Sequence, residues 1–293
     1  MEEGQDWRGR VRTEKEMFQL ILDIARNDSR VLAVGMNGSR TNINVPKDSF
    51  QDYDIVYIVE SVDPFVKDQS WIDRFGTRLI MQTPESMTLF PPLRNGKFTY
   101  LMLFDDGNRI DLTLCPKEQA NNWNQGDRLA EILLDKEQLL PKLIEATDQD
   151  YWVKRPNQAE FTDCCNEFWW VSTYVVKGLC RNELFYAADH LNEVCRKEFL
   201  RLLSWQAGAD NNYQISVGKN YKYLPDYTTI EQYENILKTM DLSSIASTWS
   251  ALSLLQKQFD YHAQIFSQKN HFVYDQQTAK KVVIYTKNQR LKY

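Results

Sequence analysis

The chain is poor in the residues that make metal cages and cross-links. It has only three histidines in 293 residues, and His190, His262 and His271 are scattered with no metal-ligand spacing. The five cysteines are Cys115, Cys164, Cys165, Cys180 and Cys195; their number is odd, two are adjacent, and no C-x-x-C occurs. That excludes a disulfide framework and a zinc site, and predicts reduced thiols in a cytosolic protein. No stretch approaches the ~20 apolar residues of a membrane span, and the N-terminus lacks the apolar core of a signal peptide. A soluble, cytoplasmic protein without a membrane partner, monomeric or weakly dimeric, is the expectation. A basic excess is missing too: 35 Lys and Arg face 40 Asp and Glu, for a net charge of −5. A nucleic-acid footprint is normally basic, so this balance points away from nucleic acid and toward a cationic ligand. The chain shows no internal repeat and no low-complexity tract.

What the chain does have is a change of texture. Thr13-Glu14-Lys15-Glu16 has the form of a capping box, and Met17, Leu20, Ile21 and Ile24 follow at helical spacing, predicting a helix over 14–26. Short apolar runs at 31–34, 55–59, 79–82, 98–104 and 109–114 read as strands. The last two flank the turn residues Asp105-Asp106-Gly107-Asn108, a hairpin signal. Residues 71–76 read as a helical turn, and residues 1–12 as a loose arm. After about residue 128 strand patterns give way to helical ones, with helices expected at 158–180, 182–206, 229–240 and 243–268 and a loop over 207–227. The expected fold class is α+β: a mixed sheet with flanking helices in a first domain, 1–150, and a helical second domain, 151–293.

Chemistry gathers around one segment, GSRTNINVPKDSFQDYDIVYIV, residues 38–59. Asp52 and Asp54 stand at i and i+2 where a strand begins, so both side chains take one face of the sheet. Two residues of rise separate their Cα atoms by roughly 6.5–7 Å, and two carboxylates at about 7 Å repel by roughly 2.4 kcal/mol at an effective dielectric of about 20. Such a pair calls for a cation. Asp111 lies inside a later strand, sharing its face with Thr113, while Ile110, Leu112 and Leu114 take the other. Three carboxylates on one sheet face suit Mg²⁺, which prefers oxygen ligands and substrate phosphates. The Gly38-Ser39 turn lets backbone N–H groups approach an anion closely, and Arg40 adds a fork suited to phosphate. Each element alone is commonplace: most Gly-Ser pairs are turns, and most D-x-D pairs are surface or cap residues. Together, in this order, they point to metal-assisted phosphoryl or nucleotidyl transfer.

The helix expected at 158–180 carries a second pattern. At 100° per residue, Asp163, Glu167, Trp170, Tyr174, Lys177 and Arg181 fall within about 80° of one another. A solvated charged face is the plain account of such a stripe, but the interleaved Trp and Tyr favour a binding face.

The segments GSRTNINVPKDSFQDYDIVYIV, FDDGNRIDLTL, DYWVKRP and DCCNEFWWVSTYVVKGLCRNELFYAADHLNE closely resemble bacterial aminoglycoside 6-adenylyltransferases. These are streptomycin-resistance enzymes of the DNA polymerase β-like nucleotidyltransferase superfamily. The resemblance runs from about Arg12 almost to the C-terminus and shows no departure at the three acidic positions. It implies transfer of AMP from ATP to the 6-hydroxyl of streptomycin. Asp52 and Asp54 would bind Mg²⁺; Gly38, Ser39, Arg40 and Lys177 would hold the nucleotide phosphates. Asp111 would be general base or a further metal ligand. Asp163, Glu167, Trp170 and Tyr174 are then the expected drug contacts, with Asp189, Asn192 and 219–222 as weaker candidates. Two alternatives stand beside this reading: the same fold acting on another aminoglycoside or a lincosamide, and a non-catalytic regulator.

Overall fold

A computed structural model describes residues 10–90 and 95–292; residues 1–9, the greater part of the expected arm, lie outside the described residues. By its contacts the chain divides into two units, Met1–Asp150 and Tyr151–Tyr293.

The first unit is built on a six-stranded sheet: β1 (Val31–Asn37), β2 (Tyr53–Val59), β3 (Arg78–Gln82), β4 (Phe98–Phe104), β5 (Arg109–Pro116) and β6 (Ala130–Asp135), in the order β3-β4-β5-β2-β1-β6. Every described pairing is antiparallel except β2 with β5. Helix α1 (Glu14–Arg26) starts at the predicted capping box, with Thr13 as N-cap and Glu16 reaching back to it. Its buried face, Met17, Ile21 and Ile24, meets Tyr53, Tyr57, Tyr100, Leu112 and Leu114 in one core on one side of the sheet. A short helix α2 (Asp63–Lys67) and the turn Gln69–Phe75 add Phe65, Trp71 and Phe75 to that core. On the other side Ala33, Val56, Ile58 and Cys115 pack with Trp123. Gly35 leaves the slot for that indole, because a Cβ there would lie 2.2 Å from the ring.

Strand β6 falls where strand patterns had been expected to end. Its sequence, AEILLD, is short and half-exposed, with burial that does not alternate, so periodicity could not tell it from a helical segment.

One polar lock closes the predicted β4–β5 hairpin. Arg12 donates to Asp106 from its backbone N–H (3.1 Å), Nε (2.6 Å) and Nη2 (3.1 Å), and its Nη1 donates to the Phe75 carbonyl (2.6 Å). Asn108 adds two donors to the same carboxylate. Burial alone would raise the Asp106 carboxyl; the hydrogen bonds from Arg12 and Asn108 outweigh it and hold the group well below the ordinary range. A folded-state value below the unfolded one contributes stability above the unfolded value of ~3.9 that is lost as pH falls through the folded value. Arg12→Ala should therefore cost roughly 2–4 kcal/mol at pH 7, and the difference from wild type should shrink below about pH 4. Urea unfolding at pH 7 and pH 3 checks this; an equal loss at both pH values would show that packing, not the ion pair, carries the effect.

The second unit is helical: α3 (Gln158–Cys180), α4 (Leu184–His190), α5 (Lys197–Asp210), α6 (Ile230–Lys238), α7 (Ile245–Asn270) and α8 (Gln276–Arg290). Its core centres on α3 and α7, where Phe168 stacks on Phe259 with ring centroids 3.7 Å apart. The single helix expected at 182–206 is instead α4 and α5 joined through a π-helical turn, Leu191–Arg196. Arg196 is buried there and donates to the Thr239 carbonyl (2.6 Å) and Asn192 Oδ1 (3.0 Å), tying the turn to the end of α6. Helix α8 was not legible, because its sequence QQTAKKVVIYTKNQR is largely polar and buries only Ala279 and Thr286. All five cysteines are unpaired. No helix among the described residues is long and apolar enough to cross a membrane.

Candidate active site

The site is built at the ends of three adjacent strands. Strand β1 finishes at Asn37, and Gly38 follows with φ of +81°, in the region that favours glycine. Its N–H donates to the Leu129 carbonyl (3.1 Å), and its own carbonyl accepts from the Thr41 N–H (3.1 Å) and hydroxyl (2.8 Å), so Ser39–Thr41 forms a tight turn. A Cβ on Gly38 would lie 2.2 Å from Asp54 Oδ2. The missing side chain is what lets the carboxylate lie against the turn.

Asp54 is the register partner of Asn37 on one side and of Asp111 on the other. Paired residues of neighbouring strands present their side chains to the same face, so the β2–β5 pairing sets Asp54 and Asp111 side by side. Asp52, just before β2, joins them by alternation. The crowding has an electrostatic signature: burial first, then the carboxylates of Asp111 and Asp52, push the Asp54 carboxyl up to about 6, against the opposing pull of Arg109 and Arg40.

The positive group that the D-x-D pair calls for is present within the chain. Arg109 lies two residues before Asp111 on β5, on the same face. Its Nε and Nη2 donate to the two oxygens of Asp111, each at 2.8 Å, and its Nη1 stands 3.6 Å from Asp52 Oδ2. Sequence reasoning passed over it, although an arginine at i−2 from a strand aspartate is a usable signal. Arg40 behaves differently. Its side chain is 7% exposed, and its guanidinium donates to the carbonyls of Asp52 (3.0 Å) and Gln51 (2.7 Å), pairs with Glu14 (3.1 Å) and lies 3.7 Å over the Tyr53 ring. It braces the Gly38 turn to the start of β2 rather than presenting an open fork to phosphate.

Among the described residues, no three acidic, imidazole or thiol groups are gathered as a ready-made metal cage. The donor set is nonetheless all oxygen: Asp52, Asp54, Asp111 and the buried Asn37 Oδ1, which has no hydrogen-bond partner among the described residues. Hard oxygens with excess negative charge fit a Mg²⁺-type cation.

In the second unit, α3 divides the expected stripe in two. Asp163 and Glu167 are exposed and line an open groove of about 500 Å³ with Glu160, Glu198, Arg201 and Trp205. Glu198, with a side chain 13% exposed, takes two hydrogen bonds from Arg201 (2.8 and 3.1 Å). The groove is net acidic; Glu198 and Trp205 were not anticipated, since they come from α5. Trp170, Tyr174 and Lys177 form a separate cluster. The Trp170 indole N–H donates to the Tyr174 hydroxyl (2.9 Å), and Lys177 Nζ lies 4.7 Å from the Tyr174 ring centroid and 5.4 Å from that of Tyr186. Of the weaker candidates, Asn192 is engaged by Arg196 and Tyr221 packs on the helical core.

A glycine turn closing one strand, two aspartates opening the next, and a third in register on a parallel neighbour thus form one acidic face. A model of the streptomycin adenylyltransferase family matches residues 11–289, and the chain belongs to that family. It is 45% identical over 243 residues to an aminoglycoside 6-adenylyltransferase of Bacillus subtilis (strain 168), covering 83% of this chain and 86% of the relative. It is 43% identical over 270 residues to the enzyme of that name from Campylobacter jejuni, covering 88% and 93%. A crystal structure of an aminoglycoside 6-adenyltransferase from Bacillus subtilis is 38% identical and covers 96% of this chain and 99% of that one, with a TM-score of 0.47. The protein is an enzyme, a nucleotidyltransferase, and the non-catalytic alternative falls away.

Proposed function

We propose that the enzyme transfers AMP from ATP to a hydroxyl of an aminoglycoside, and that this is the 6-hydroxyl of streptomycin. The observation that carries the reading is the meeting of Asp52, Asp54 and Asp111 on one sheet face beside the Gly38 turn. The attacking oxygen forms a bond to the α-phosphorus as the bridging bond to the β-phosphate breaks, and pyrophosphate leaves in line. Gly38 and Ser39 hold the β- and γ-phosphates through the turn that Arg40 braces; Lys177 is assigned to phosphate by the family resemblance. Asp52 and Asp54, with Asp111 where it serves as ligand, would hold a divalent cation, which would neutralise charge on the phosphates when bound. As general base, Asp111 takes the proton of the attacking hydroxyl. The test is pyrophosphate release from ATP and Mg²⁺ with a panel of aminoglycosides, and the mass and proton spectrum of the product. A streptomycin adduct of one AMP at the 6-position is expected; release with no aminoglycoside overturns the reading.

The acidic groove on α3 and α5 supports a polycationic acceptor. Asp163 and Glu167 are exposed, so each resembles a rim charge, and an exposed pair contributes roughly 0.2–1 kcal/mol. Asp163→Asn and Glu167→Gln should each weaken streptomycin binding about two- to fivefold, and the double variant about tenfold. Calorimetric titration decides; unchanged affinity in the double variant would return the stripe to a solvated face.

A further inference from the structure

We propose that Arg109 is the resident counter-ion of the carboxylate site, and that a divalent cation must displace its guanidinium from Asp111 and Asp52 to bind. The inference rests on the reading that the carboxylates take a cation, and it concerns what stands in the way. Both oxygens of Asp111 are engaged by the Arg109 fork at 2.8 Å, and Asp52 is its next neighbour at 3.6 Å. Arginine keeps its charge in proteins, so it cannot leave by deprotonation; a cation and the guanidinium compete for the same oxygens. Asp54, against the turn and outside the Arg109 fork, is where an incoming cation meets the least competition.

The two arginines at this face have opposite constraints. Arg40 is almost wholly enclosed and donates to two backbone carbonyls. Arg109 has a side chain 44% exposed, and its described hydrogen bonds and ion pairs all go to the site's own aspartates. It can turn away from Asp111 without breaking any of the hydrogen bonds that hold the sheet. The phosphates of a nucleotide offer it a better anion when it does, because Arg and phosphate pair in bidentate fashion. Arg109 thereby couples the two ligands: it weakens cation binding in the free enzyme and releases that penalty when the nucleotide takes the guanidinium.

The experiment titrates Mn²⁺ alone, read as loss of the free-ion paramagnetic resonance signal, into wild type, Arg109→Gln, Arg109→Lys and Asp54→Asn. Circular dichroism confirms that each is folded. Arg109→Gln should bind Mn²⁺ about tenfold more tightly than wild type, and Arg109→Lys, which keeps charge without the fork, should fall between. A non-hydrolysable ATP analogue should tighten Mn²⁺ binding strongly in wild type and markedly less in Arg109→Gln. Equal or weaker Mn²⁺ binding by folded Arg109→Gln, while Asp54→Asn loses it, overturns the counter-ion role and leaves the cation reading intact. Equal binding by wild type and Asp54→Asn overturns both.

Discussion

Asp54→Asn is expected to lose adenylyl transfer by at least about 10³-fold, because an active-site cation supplies several kcal/mol of charge stabilisation. The same variant, assayed without metal, should be more stable than wild type by about 1–2 kcal/mol. Both effects have one origin. Asp54 is largely enclosed, faces Asp111 in register and Asp52 by alternation, and lies outside the Arg109 fork. Asparagine keeps the shape, removes the repulsion and removes the charge that a cation requires. Thermal unfolding with and without Mg²⁺ should show the variant ahead in the absence of the ion and without a gain in its presence. Wild-type turnover in the folded variant would remove Asp54 from the chemistry.

Gly38→Ala is expected to separate the same two quantities in the opposite way. Gly38 has φ +81° and ψ −159°, a backbone conformation that only glycine adopts readily, and a side chain there costs about 1–3 kcal/mol. The atom that a new methyl would strike is the far end of the Asp54 side chain, 2.2 Å away. A carboxylate can turn aside where a backbone could not, so stability should fall by only that amount. The turning is what harms function, since misplacing a group by about 1 Å can lower a rate ~10²-fold. Turnover down by about 10²-fold, with unfolding shifted by no more than a few degrees for a chain of this size, is the expected pair of results. A variant that keeps full turnover would show that the turn tolerates the methyl and that Asp54 need not lie against it.

The sequence was most legible where local chemistry and tertiary packing agree. Helix α1 carries its own start signal, and α3 runs between an Asn157 cap and Arg181 as its periodicity implied. The Ile110/Leu112/Leu114 face of β5 is buried as alternation requires, leaving Asp111 and Thr113 opposite. Legibility failed where an element is held by neighbours rather than by its own pattern. Strand β6 exists because β1 has a free edge to offer. Helix α8 packs on the helical core through few residues and leaves the rest to water. At the site, alternation within one strand placed the aspartates, but it could not show that β2 and β5 lie side by side and parallel. The contacts of Arg109 with Asp111 and Asp52, and the groove that Glu198 shares with the α3 acids, follow from adjacency that no local pattern contains.

That one parallel pair has a consequence in time. Antiparallel neighbours such as β4 and β5 can zip from a four-residue turn, but parallel strands need a long crossover, and here residues 60–108 must be in place between β2 and β5. Pairings between distant parts of a chain form late in folding, because the loop must close before any contact rewards it. Asp54 and Asp111 therefore remain strangers through the early steps, and the mutual repulsion of the finished site is met only at the closing one. The growing chain carries the Asp52–Asp54 pair as soon as β2 is made, but the third carboxylate, and the Arg109 guanidinium that neutralises it, join that pair only when β5 has docked.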